Sequence, residues 1–225
     1  MEIGKIFKNV KKQFKSHNFS CVKFNSKNCK NRDIFFAIKG EKKNGNKYIK
    51  DAIRNGAKTV ISDLKFQGYK NKVLFLKNKN PRKLLSEFSS KIYKRKPNNL
   101  LAVTGTNGKS SIANFFLQIL KINKVKVASI GTLGININNK INKTSNTTLD
   151  SLTLNKTLEK LKKKKIDNVI LEASSHGLKQ HRLDGIKFNI GIFTNLSRDH
   201  LDYHKSFKDY FDSKMILFNK LMKKK

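Results

Sequence analysis

Apolar residues follow two rhythms along the chain, and the rhythms alternate. Short, nearly continuous runs occupy residues 33–40 (DIFFAIKG), 71–78 (NKVLFLKN), 99–105 (NLLAVTG), 126–132 (KVASIGT), 166–176 (IDNVILEASSH) and 188–197 (FNIGIFTNLS). Runs of this kind read as strands buried on both faces. Between them lie stretches whose apolar positions recur every three or four residues: 82–96, 110–121, 149–165 and 206–222. These read as amphipathic helices. Residues 46–62 combine both, a helix stopped by Gly56 and then a strand. Asp150 or Ser151 is placed to cap the helix that follows it. At the N-terminus Ile3, Ile6, Phe7, Val10 and Phe14 fall at helical spacing among lysines, which predicts an amphipathic helix packing on its own domain. Strands alternating with helices make the chain an α/β protein with parallel sheets.

The stretch 94–99 (KRKPNN) is polar and without period. A domain boundary is expected there, with one domain at 1–97 and another at 98–225. No run is long and apolar enough to span a membrane, and the N-terminus lacks the continuous apolar segment of a signal peptide. Cys21 and Cys29 fit no metal or redox spacing, as in a reduced, cytoplasmic protein. Charge is extreme, 50 Lys+Arg against 15 Asp+Glu, net +35. Because the lysines spread evenly among many Asn and Ile, the excess reads as compositional bias. No nucleic-acid partner is expected from it.

Residues 102–111, AVTGTNGKSS, join an expected strand to an expected helix. Gly105 and Gly108 permit a tight bend whose backbone N–H groups can cradle phosphate. Lys109 can reach terminal phosphates, and Ser110 can ligate Mg²⁺. The usual phosphate-loop template has four residues between its glycines; here there are two, Thr106 and Asn107. Glu172 ends an expected strand, where α/β sheets place their ligands. His200 and His204 stand four apart without the intervening Glu of a zinc helix, so the spacing does not point to zinc.

Four stretches together, TGTNGKSS, SNTTLDS, LEASSHGLKQHRLDG and FTNLSRDHLDYHKSFKDYFDSK, resemble the Mur ligases, specifically the MurE type. Residues 24–62 resemble the first-domain block of that family more loosely. The short GTNGKS loop is the family's own form of the phosphate loop. The resemblance implies a small N-terminal α/β domain for the UDP-sugar, then a central ATP-binding domain incomplete at its C-terminus, with the third domain absent. It implies ATP and Mg²⁺ as cofactors. Gly105, Thr106, Asn107, Gly108, Lys109, Ser110 and Ser111 would bind ATP. Ser110, Glu172, His200 and a carbamylated Lys214 would serve the metal; Lys109, Glu172, His200 and Lys214 would be catalytic. Phe24 and Ser26, with Glu41, Lys42 and Lys43 nearby, would meet the uridine end of the substrate. Asn146, Thr147, Thr148, Ser174, Gln180 and Arg182 would hold its muramoyl-dipeptide.

The implied partners are UDP-N-acetylmuramoyl-dipeptide and a diamino acid, meso-diaminopimelate or lysine, acting on a monomer. Two departures are visible: Leu149 stands where many relatives have Pro or Gly, and Asn25 replaces the usual Asp. The length implies a fragment inactive alone. Another Mur enzyme, a folylpolyglutamate-synthase-like ligase and a basic nucleic-acid-binding protein remain as alternatives.

Overall fold

The computed structural model describes residues 1–225 except 8, 9, 42, 138, 139, 145 and 225. Contacts divide the chain into two units, Met1–Ile92 and Tyr93–Lys225. Residues 93–97, expected in the first domain, thus fall in the second unit. There the Asn98 N–H donates to Asp167 Oδ1 at 3.0 Å.

In the first unit, α1 (Ile3–Ile6), β1 (Val22–Lys23), β2 (Ile34–Phe36), α2 (Ile49–Arg54), β3 (Thr59–Ser62), β4 (Gly68–Lys70), β5 (Val73–Lys77) and α3 (Pro81–Ile92) follow in order. The sheet runs β1-β2-β3-β5-β4. Only β4 is antiparallel, paired with β5. Phe35, Val60 and Val73 cluster with Ala52 of α2 on one face. On another side Phe36 meets Phe88 of α3, ring centroids 5.4 Å apart.

The continuous N-terminal helix expected from spacing does not form. α1 is a single turn, and Lys12–Phe14 make a separate 3₁₀ turn. The chain doubles back, with the Ile3 and Gly4 N–H groups donating to the carbonyls of His17 (2.9 Å) and Lys15 (3.0 Å). Ile3, Ile6, Val10 and Phe14 are nonetheless all buried. The apolar spacing found the core-facing residues but not the backbone that delivers them.

The second unit contains β6 (Asn99–Thr104), α4 (Lys109–Ile122), β7 (Val127–Gly131), β8 (Gly134–Ile137), β9 (Lys140–Asn142), α5 (Ser151–Lys163), β10 (Asn168–Glu172), α6 (Ser175–Lys179), β11 (Ile190–Phe193) and α7 (Phe207–Ile216), which continues in a π turn, Leu217–Leu221. Its sheet runs β11-β6-β10-β7-β8-β9. The first four strands are parallel; β8 and β9 are antiparallel additions. Leu100, Ala102, Val169 and Leu171 cluster with Leu154, Leu158 and Leu161 of α5. Leu101, Val103 and Ile170 cluster with Ala113 of α4. Full burial of each such leucine contributes about 1.5–3 kcal/mol. Asp150 caps α5, its carboxylate accepting from the Thr153 N–H at 2.9 Å. Because β6, β10, β7 and β11 run the same way, their C-terminal ends bring Thr104, Glu172, Gly131 and Phe193 to one edge of the sheet, where the candidate site lies.

Candidate functional site

The turn between β6 and α4 needs glycine at Gly105, whose φ is +146°. A Cβ there would lie 1.9 Å from Thr194 Oγ1. The residues after β11 brace the loop. Asn195 accepts from the Thr106 N–H through its carbonyl and from the Asn107 N–H through Oδ1, both at 3.0 Å. The Thr194 hydroxyl donates to the Asn107 carbonyl at 2.6 Å. No side chain caps α4 at Gly108. The N–H groups of the first turn therefore lack intrahelical partners and stand ready for an anion.

Two lysines converge on this loop. Lys109 Nζ donates to the carbonyls of Gly105 (2.9 Å) and Thr106 (2.7 Å). Lys214 Nζ, from α7, donates to the same Gly105 carbonyl at 2.7 Å. Lys214 is 1% exposed, and its Nζ sits 4.3 Å from the centroid of the Tyr210 ring. Burial, and next the neighbouring Lys109 cation, push the Lys214 pKa down to about 8, against an opposing pull from Asp199. Burial also lowers Lys109, with Glu172 and Asp199 opposing. Tyr210 lies within hydrogen-bond reach of Thr106 Oγ1, at 3.0 Å, and burial raises its pKa.

Glu172 is 3% exposed and accepts three hydrogen bonds. Ser110 Oγ and Thr132 Oγ1 each donate to Oε2 at 3.0 Å, and the Thr132 N–H donates to Oε1 at 3.1 Å. Gly131 makes room for it, since a Cβ there would stand 2.1 Å from Oε1. Ser110 and Glu172 are hard oxygen donors beside a phosphate loop, a set suited to Mg²⁺. With its proton committed to Glu172, Ser110 keeps its lone pairs for a cation.

Beside this pair, Thr148 Oγ1 donates to the Glu172 carbonyl at 2.8 Å and meets Ser174 Oγ at 3.0 Å. Ser174 caps α6 by accepting from the Gly177 N–H. Arg182 donates to the Thr148 carbonyl at 2.6 Å and to Gln180 Oε1 at 2.7 Å. Gln180 in turn reaches the Tyr203 hydroxyl at 3.3 Å. Thr148, Ser174, Gln180 and Arg182 are thus one connected group, and Thr147 Oγ1 lies 3.1 Å from Thr132 Oγ1. Asn146 is exposed on the same loop.

His200 is exposed, at a positive φ of 53°. Its ring packs edge-on against His176 (4.9 Å), which stacks on Tyr203 (4.0 Å). His204 is buried between Ser175 Oγ (3.0 Å) and Ser213 Oγ (3.5 Å); burial, then the Lys179 cation, lowers its pKa. Among the described residues, no group of three His, Cys, Asp or Glu converges to hold a metal. The structure brings Ser110 to Glu172. It places Lys214 on the Gly105 carbonyl and His200 against His176.

In the first unit, Phe24, Ser26 and Lys43 line a cavity of about 720 Å³ together with Tyr48, Arg54 and Asn55. Glu41 is exposed and does not line it; Lys42 lies outside the described residues. Sequence reasoning missed Thr132, Thr194, Asn195 and Tyr210, whose contacts join positions far apart in the chain.

Comparison with known proteins supplies the family. The Mur ligase middle domain matches residues 103–225, and the Mur ligase family catalytic domain matches residues 18–93. The chain belongs to the Mur ligase family. This Mur ligase is 44% identical over 214 residues to the UDP-N-acetylmuramoyl-L-alanyl-D-glutamate--2,6-diaminopimelate ligase of Rickettsia conorii, covering 93% of this chain and 44% of that protein. The enzyme of the same name from Clostridium tetani is 39% identical, covering 88% and 41%. A solved structure with that name superposes with a TM-score of 0.82 at 31% identity, over 99% of this chain and 46% of the other. MurF of Thermotoga maritima, solved in complex with ADP, shares the fold alone, with a TM-score of 0.58 at 19% identity over 87% and 42%. The chain spans less than half the length of the curated relatives it matches.

Proposed function

We propose that this Mur ligase supplies the nucleotide-sugar and ATP sites of a MurE-type enzyme. That enzyme joins a diamino acid to UDP-N-acetylmuramoyl-L-alanyl-D-glutamate in the cytoplasm, during peptidoglycan synthesis. The observation that carries the reading is the convergence of Lys109, Lys214 and the Ser110–Glu172 pair on one phosphate loop. The relatives' names favour 2,6-diaminopimelate as the incoming amino acid.

Phosphoryl transfer needs positioned cations around a developing negative charge. The first-turn N–H groups of α4 bind the phosphates of ATP. Lys109, released from the Gly105 and Thr106 carbonyls, turns its ammonium to the terminal phosphate. The D-Glu side-chain carboxylate attacks that γ-phosphorus, ADP leaves, and an acyl phosphate forms. The amine of the diamino acid then displaces phosphate to give the amide. Ser110, Glu172 and His200, with carbamylated Lys214, would hold Mg²⁺, which neutralises phosphate charge when bound. Thr147, Thr148, Ser174, Gln180 and Arg182 hold the muramoyl-dipeptide, with Asn146 beside them.

Lys214 changes role by reacting with CO₂. Its neutral amine forms the new N–C bond and loses a proton, and the cation becomes a carbamate anion. A cation repels Mg²⁺, whereas a carbamate oxygen ligates it. Phe24, Ser26 and Lys43 receive the uridine end in the first-unit cavity.

The test is calorimetric titration of the folded chain with UDP-N-acetylmuramoyl-L-alanyl-D-glutamate, with an ATP analogue and Mg²⁺ present. Saturable binding is expected. A folded chain that binds neither the nucleotide-sugar nor the analogue overturns the reading.

A further inference from the structure

Glu172 owes its place in the site to a strand other than its own. β7 lies beside β10, with Ile130 paired to Leu171. The end of β7 meets the carboxylate with a glycine and a threonine. Gly131 leaves the space, since an added Cβ would fall 2.1 Å from Oε1. Thr132 then donates twice, its N–H to Oε1 at 3.1 Å and its hydroxyl to Oε2 at 3.0 Å. Ser110, the third donor, sits on the phosphate loop side. Of these three bonds, two come from a single residue outside every motif that marks the site in the sequence.

The Thr132 hydroxyl also lies 3.1 Å from Thr147 Oγ1. A hydroxyl carries one proton. Because that of Thr132 goes to the carboxylate, Thr132 can only accept from Thr147. The chain of bonds therefore has a direction: Thr147 donates to Thr132, and Thr132 donates to Glu172. It runs from the loop proposed to hold the dipeptide to the carboxylate proposed to hold Mg²⁺.

We propose that Thr132 is a positioning residue that fixes the Glu172 carboxylate for Mg²⁺ and links it to Thr147. The inference rests on the reading of this loop as a Mg²⁺–nucleotide site. A partner that orients a ligating carboxylate affects metal affinity by about 10–100-fold when removed. Thr132 is itself exposed, and without its hydroxyl the buried Glu172 carboxylate keeps the Ser110 hydroxyl and the Thr132 N–H as donors.

The test is anisotropy of a fluorescent N-methylanthraniloyl-ADP bound to the full chain, read as a function of Mg²⁺ concentration. Nucleotide affinity in EDTA and the thermal melt without metal serve as references. Thr132→Val is expected to raise the Mg²⁺ midpoint by about 10–100-fold, with affinity in EDTA unchanged and a cooperative melt showing that the chain still folds. Thr132→Ser, which keeps the hydroxyl, is expected to return the midpoint to that of the unmodified chain. Thr132→Ala repeats the test without the branched side chain of valine. Thr147→Val is expected to move the midpoint in the same direction by less, because it removes a donor to Thr132 and not to Glu172. A Thr132→Val midpoint equal to that of the unmodified chain overturns the proposal. So does a shift that Thr132→Ser fails to reverse, or one matched by an equal loss of affinity in EDTA. An unmoved Thr147→Val midpoint overturns the link to the loop. If the unmodified chain binds nucleotide with no Mg²⁺ dependence, the metal-site reading itself fails and this inference falls with it.

Discussion

The two units handle candidate ligand-binding groups in opposite ways. In the second unit they are held before any ligand arrives. The loop N–H groups of Thr106 and Asn107 are pinned by Asn195, Glu172 has three donors, and Lys214 is buried on a carbonyl. In the first unit the cavity is lined by side chains left largely in solvent, including Phe24 at 41% and Tyr48 at 39% exposure. Preorganisation matters where charge develops during a reaction. A surface that only grips a substrate can order its side chains on contact, at a cost in affinity. The difference fits the proposed division, with chemistry in the second unit and capture in the first.

The strongest way to break this contrast is Gly105→Ala. The new methyl would meet Thr194 Oγ1 at a φ that alanine adopts only with strain. Nucleotide affinity is expected to fall by about a hundredfold or more. UDP binding to the first unit, measured calorimetrically on the same protein, should not move. An equal loss in both units would show that they do not act separately.

A middle-sized effect concerns Lys214. With its pKa at about 8, the neutral fraction of this amine rises about fivefold between pH 7 and pH 8, while an ordinary lysine stays almost wholly protonated. Carbon-13 NMR in labelled bicarbonate should show a carbamate signal that grows over this interval and is absent in Lys214→Arg. A signal that persists in Lys214→Arg would place the carbamate elsewhere. The same shift sets a slope in stability. The folded state releases the proton at lower pH than the unfolded chain, so the uncarbamylated protein should gain stability as pH rises from about 8 toward the ordinary lysine value near 10.4. Denaturant melts without CO₂ should show this gain, and Lys214→Met should lack it.

The smallest effect sharpens the comparison from the other side. Phe24→Ala removes an exposed ring from the cavity wall and should weaken UDP binding by roughly two- to tenfold. Its nucleotide affinity at the phosphate loop should stay unchanged. A loss as large as that of Gly105→Ala would mean that the cavity too is rigidly prepared.

Local pattern carried much of this architecture. The strand–loop–helix around Gly105 and the cap at Asp150 stand as the spacing indicated, because each is decided within a few residues. The short strands β1, β4, β8 and β9 were not legible. They hold two to four residues each, and tertiary pairing rather than propensity makes them strands. The short helix α6 was missed because Ser174 and Ser175 read as the end of the strand run 166–176, whereas Ser174 caps the helix. Residues such as Lys109 and Glu172 could be named because their motifs lie in single stretches. Thr132 could not, because its role depends on β7 lying beside β10 across some forty intervening residues, including a helix. The N-terminal segment shows the limit from another direction: correct apolar residues, delivered by a backbone that turns back on itself.

Tyr210 offers a built-in reporter. The chain has five tyrosines and no tryptophan, so its near-ultraviolet signal is not swamped by indole. The Tyr210 ring lies under Lys214 and its hydroxyl touches Thr106 of the loop. An aromatic face attracts a cation and repels an anion. On the proposed conversion of Lys214 from ammonium to carbamate the charge above this ring would change sign, and the near-ultraviolet circular dichroism of the unlabelled protein should give an optical trace of it.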